Sequence, residues 1–120
     1  MDARTQARYE ARARILKALA HPTRLFLVDR LSRAEHSVAE LTRMVGADMS
    51  TVSRHLARLQ SIGILRSERR GTEVHYRLRV PCVLRFFGCI EAVLRDTARE
   101  QLRLARRAVC ATGARAGGAR

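Results

Sequence analysis

At Gly63 the apolar pattern of this chain changes its period, and that change narrows the folds open to it. Upstream, apolar residues recur at helical spacing; from Ile64 to Arg79 they alternate, and after Pro81 the helical period returns. A chain ordered in this way is mainly α-helical around one small β-hairpin.

The helical segments have readable ends. Residues 3–20 are Ala-rich, lack Gly and Pro, and carry Ile15, Leu16 and Leu19 at their apolar end. Their first half, Ala3 to Arg14, is too polar to sit in a core alone, so it frays or packs on a partner chain. Pro22 suits the first turn of a second helix, reaching about Leu31, because its missing N–H would be unpaired there anyway. Ser37 and Glu40 have the spacing of a capping box for a third helix, which Gly46 ends. A fourth begins between Asp48 and Ser50, turns Val52, Leu56 and Leu59 inward, and stops at Gly63.

Beyond Gly63, Ile64–Arg69 and Val74–Arg79 have strand composition, and residues 70–73 supply a turn containing Gly71. Val74, Tyr76 and Leu78 share one face; His75, Arg77 and Arg79 share the other. From Pro81 a last helix carries Val83, Phe86, Phe87, Ile90, Val93, Leu94, Leu102 and Leu104. This stripe extends through roughly 25 residues, and at about 1.5 Å per residue it outruns the width of so small a domain. A second copy, pairing through the first and last helices, is the simplest cover, so a symmetric homodimer is expected. One domain is expected over residues 1–107, with 108–120, rich in Ala, Gly and Arg, as a disordered basic tail.

Charge adds a partner. Twenty-four basic residues against 11 acidic ones give +13, carried in three blocks: +3 over residues 1–20, +5 over 43–80 and +5 over 99–120. Such a surface binds polyanions, because each neutralised phosphate releases condensed counterions. Aromatic residues make up only 4 % and Trp is absent, which disfavours base-stacking single-strand binders. No apolar run approaches the roughly 18 residues that span a bilayer, and Met1 to Glu10 is polar, so a cytoplasmic protein without a membrane partner is expected.

Two helices joined by a short turn and followed by a basic hairpin form a winged helix-turn-helix, here with five helices and a two-stranded wing. This fold lays its second motif helix in the major groove of double-stranded DNA. On that helix Ser50, Arg54, Ala57 and Arg58 lie opposite the apolar side, with Thr51, Ser53 and His55 on the flanks. Arg66, Arg69, Arg70, Arg77 and Arg79 of the hairpin suit phosphates or the minor groove. An enzyme is not expected: no Gly-rich phosphate loop, no nucleophile with a positioned base and no carboxylate pair is present.

The stretch Leu16-Lys17-Ala18-Leu19-Ala20-His21-Pro22-Thr23-Arg24-Leu25, then Val38–Leu41, Ser50–Leu59, Gly63-Ile64-Leu65 and Arg70–Leu78, resembles the ArsR/SmtB family of bacterial repressors. The likeness is close over residues 15–79 and looser to about residue 105. It implies a homodimer that binds an operator palindrome and leaves it when an inducer, usually a metal or metalloid ion, binds. By the same likeness Ser53, Arg54 and His55 fall on the DNA-reading helix, and Arg69, Arg70 and Arg77 on the wing.

The family places its sensor ligands in several positions, and two of these are missing. Glu40–Val45 contains no cysteine pair, and residues 81–110 contain no histidine. Cys82, Cys89 and Cys110 remain, and thiolates select soft ions. Three thiolates match arsenite or antimonite as inducer; Zn or Cd would need a further ligand, from His75 or a partner chain. Cys82 and Cys89 lie about 10 Å apart along a helix axis, too far to share one ion unless Cys82 leaves the helix or the ligands come from two chains. An antiparallel pair of last helices centred near residue 96 would set Cys82 opposite Cys110 of the other subunit. Each cysteine also has a plain reading as a small buried hydrophobe. Two other readings stay open: a thiol switch responding to persulfide or oxidant, and a basic DNA- or RNA-binding protein with no inducer. No further protein partner is expected.

Overall fold

Four helices begin where a side chain one residue ahead accepts a backbone N–H of the first turn. Asp2 caps α1 (Ala3–Leu19) by accepting from Thr5, and His21 Nδ1 caps α2 (Pro22–Arg33) by accepting from Thr23. Ser37 caps α3 (Val38–Val45) through the N–H of Glu40 at 3.1 Å, and Asp48 caps α4 (Met49–Ser61) through that of Thr51 at 3.0 Å. In this computed structural model the backbone is described for residues 1–118 and the side chains for residues 1–112.

Two glycines close the motif helices. Gly46, at φ 76°, returns its N–H to Thr42, and Gly63, at φ 89°, returns its own to Gln60; both angles lie where a Cβ is disfavoured. The chain then enters the hairpin of β2 (Leu65–Arg70) and β3 (Glu73–Leu78), in register from Leu65 opposite Leu78 to Arg70 opposite Glu73.

The two-stranded wing that the alternation predicts is present, and one short strand is added to it. A two-residue strand, β1 (His36–Ser37), pairs with β3 and makes a three-stranded antiparallel sheet in the order β1-β3-β2. Two residues are too few to show a period, and they merge with the cap of α3. The core is as the helical spacing requires: Leu27, Val28, Leu41, Val52, Leu56 and Leu59 are fully buried, and Tyr76 joins them from the sheet. Each buried Leu contributes about 1.5–3 kcal/mol relative to leaving it exposed.

The chain divides after Pro81 into two compact units. Met1–Pro81 forms one compact unit and a second begins at Cys82. Proline cannot donate to the ladder, so the sheet ends before Pro81 and α5 (Val83–Gly118) starts afresh. At 36 residues, α5 passes through 108–118, where the composition predicts disorder. Ala and Arg are strong helix formers, and extending an existing helix needs no new nucleus. Residues 119 and 120 of the expected tail lie outside the described residues. No helix among the described residues is long and apolar enough to cross a membrane.

Candidate nucleic-acid interface

Helix α4 presents two unlike sides. Val52, Leu56 and Leu59 are fully buried, whereas Ser50, Arg54 and Arg58 are exposed, with Thr51 and Ser53 half-buried between them. Residues 46–48 alone separate α3 from α4. The first turn of α4 is organised by Asp48, whose carboxylate accepts from the Thr51 hydroxyl at 2.7 Å, the Thr51 N–H and the Ser50 hydroxyl. Those bonds, Ser50's foremost, hold the Asp48 carboxyl well below the usual carboxylate range. Arg54 reaches the Thr51 hydroxyl at 3.4 Å and is otherwise turned to solvent.

His55 is differently placed. Its ring lies 4.5 Å from that of His21, and its Nδ1 is 3.4 Å from Arg24 Nη1. Burial pushes the His55 pKa down, and the neighbouring His21, Arg24 and Arg54 add to the shift. His55 therefore ties α4 to the start of α2 rather than standing on the exposed side with Arg54.

The wing tip borders the start of α4. Met49 and Ser53 share a cleft of about 260 Å³ with Thr72, Glu73 and Val74, so the start of α4 and the hairpin turn form one surface. Arg69 is exposed, and Arg70 is held on both sides, by Glu35 and by Glu68 at 3.1 Å. These hydrogen bonds, Glu35's the larger, raise the Arg70 pKa. Arg77 lies on the same face of the hairpin as this pair, further from the tip, directly across from Arg66. The Glu35 partnership was invisible in the sequence, where Glu35 carries no motif. The Glu40 carboxylate likewise meets His36 Nδ1 at 2.8 Å as well as the Ser37 hydroxyl.

Cys82, Cys89 and Cys110 are all free and are exposed in the single chain. Cys89 and Cys110 lie 21 positions apart on α5, about 31 Å along its axis, so one chain does not gather the three sulfurs. No group of three or more potential ligand side chains converges among the described residues.

The profile of a family described as a helix-turn-helix domain matches residues 19–68. The chain is similar to the HTH-type transcriptional regulator YgaV of Escherichia coli K12, with 38 % identity over 78 residues, covering 64 % of this chain and 79 % of that protein. It spans between 36 % and 79 % of the length of these curated relatives. Among solved structures, the homodimeric winged helix-turn-helix domain of Mb0332 from Mycobacterium bovis, a possible ArsR-family transcriptional regulator, superposes with a TM-score of 0.70 at 31 % identity, covering 82 % of this chain and 91 % of that one. The AntR antimony-specific transcriptional repressor superposes with a TM-score of 0.68 at 34 % identity, covering 82 % and 90 %.

Proposed function

The chain belongs to the ArsR/SmtB family of transcriptional regulators, and from that membership we propose that it is a homodimeric, DNA-binding repressor rather than an enzyme. One observation carries this reading: a helix whose apolar side is fully buried presents Ser50, Ser53, Arg54 and Arg58 beside a basic wing. Hydroxyls and guanidiniums bond phosphates and guanine edges, and a helix of this kind fits the major groove. Arg54 and Arg58 supply the base and phosphate contacts of the helix, and Arg69 the free cation of the wing tip. Arg70 steadies the wing through Glu35.

A second copy covers the exposed apolar residues of α5, in line with the homodimeric Mycobacterium bovis relative. The inducer is a thiophilic ion, arsenite or antimonite, held by Cys82 and Cys89, with or without Cys110 of the other subunit. Three exposed thiols and the likeness to an antimony-specific repressor support this assignment. Release requires that the ion bind the dimer geometry that fits DNA poorly more tightly than the one that fits it well.

The test is to titrate arsenite and antimonite into the full chain bound to its operator, selected from a random-sequence duplex library. Release should need less than stoichiometric excess over dimer and should vanish in Cys82→Ser and Cys89→Ser. Release that persists in both variants removes the thiolate sensor. Release by oxidant or persulfide without any ion favours the thiol switch, which the absence of a ligand cluster among the described residues of one chain also supports.

A further inference from the structure

Behind the wing tip, three arginines face one another with no acid between them. Arg66 and Arg77 are directly opposed across β2 and β3, and Arg79, two residues on, extends the ladder by donating its N–H to the Ile64 carbonyl at 2.8 Å. All three line one cleft of about 570 Å³ at the base of the wing, beside Gln60 of the last turn of α4. Like charges directly opposed across strands are destabilising, so this arrangement lacks its counter-charge.

The chain does not supply one. Among the described residues, no carboxylate forms an ion pair with Arg66, Arg77 or Arg79. Glu68 is the one acid lining the cleft, and it is engaged with Arg70 at 3.1 Å. Gly63 makes room for the cluster: a Cβ there would stand 3.1 Å from Arg79 Nη1. The cleft is also apart from the surface that reads DNA. Gln60 lies about 16 Å along α4 from Met49, which borders the wing tip.

We infer that Arg66, Arg77 and Arg79, with Gln60, form a binding site for a phosphate group at the base of the wing, separate from the wing-tip contact. Planar guanidinium forks pair bidentately with phosphate oxygens, and the Gln60 amide can donate a further hydrogen bond. The cleft is an open groove lined by polar side chains, so a phosphate group can reach it from a free phosphorylated molecule or from the backbone of flanking DNA. The chemistry is the same for both: a phosphate oxyanion neutralises the opposed arginines.

The proposal is tested on the full chain in two arms, with Arg66→Gln/Arg79→Gln as the variant and Arg54→Ala as the control for operator reading. In the first arm inorganic pyrophosphate is titrated into free protein by calorimetry. Binding should weaken by about tenfold or more in the double variant and persist in Arg54→Ala. In the second arm binding to a random-sequence duplex is followed against salt, and the slope should fall by about 2 in the double variant if DNA fills the cleft. Either change supports the site and names its source: loss in the first arm a free anion, loss in the second the duplex. Unchanged pyrophosphate binding together with an unchanged slope overturns it. Arg66→Lys/Arg79→Lys, which keeps the charge but not the fork, guards against a folding defect. It should give intermediate pyrophosphate affinity, and full retention would overturn the bidentate site. The inference stands apart from operator reading, because a protein that failed to select any operator could still bind pyrophosphate here.

Discussion

Helices α4 and α5 carry the same kind of apolar stripe and meet opposite fates. In α4 three apolar side chains are fully buried within 13 residues, by α2, α3 and the sheet. In α5, 36 residues long, Val93 is 63 % exposed and Leu94, Leu102 and Leu104 each more than half exposed. A stripe thus states how much apolar surface must be covered; it does not state whether the cover is in the same chain. For α4 the cover is internal, and its polar side faces solvent. For α5 the stripe itself is the surface on offer.

Breaking the internal cover should have the largest effect. Leu56→Ala removes a fully buried side chain and should cost about 2–5 kcal/mol of unfolding free energy in urea denaturation. A loss below 1 kcal/mol would mean that α4 is not anchored by its stripe. The external cover is tested by Leu94→Asp, which should weaken dimerisation by about 30-fold or more in sedimentation equilibrium while leaving the helical circular dichroism of the first unit unchanged. An unaltered mass would show that α5 is not the dimer surface. Next is the free side of α4: Arg54→Ala should cost about 1–3 kcal/mol of discrimination between selected operator and random duplex, with little change in melting temperature.

The smallest effect is a pH dependence at the junction of α4 with α2. His55 has a folded-state pKa below the ordinary 6.5, through burial first and then through His21, Arg24 and Arg54. The unfolded chain therefore takes up the proton first as the pH falls. The contribution is fully present above about pH 6.5 and is lost as the pH drops through the lowered value. Thermal melts between pH 8 and 5 should show this decline, and His55→Gln should flatten it. A slope unchanged by the substitution would show that the His21–His55 contact is not what α4 responds to.

Much of this arrangement was legible in the sequence. Ser37 and Glu40 at capping spacing, Gly46 and Gly63 past the helix ends, and the apolar steps of Val52, Leu56 and Leu59 are local signals, and each fixed an element to within two residues. Contacts between residues distant in sequence left no such trace. His21 and His55 are 34 positions apart, Glu35 and Arg70 are 35 apart, and β1 is too short to carry a period. His55 was accordingly assigned to the DNA-reading side by its place on the helix, although its ring is engaged with α2. Residues 108–118 carry a conflicting signal: their glycines argue for disorder, and the helix already running through Arg107 continues across them.

The Asp48 cap has a consequence for which letters of DNA the chain can recognise. The hydroxyl protons of Ser50 and Thr51 both point into the Asp48 carboxylate, whose strong acidity keeps it a pure acceptor. What those two oxygens keep is lone pairs, and on Thr51 one of them already accepts from Arg54, so Ser50 is the more open acceptor. In the major groove, lone pairs meet the amino groups of adenine and cytosine and find no partner on thymine O4 or guanine O6. Asp48 thus sets the polarity of the whole first turn of α4 without being part of its outward side.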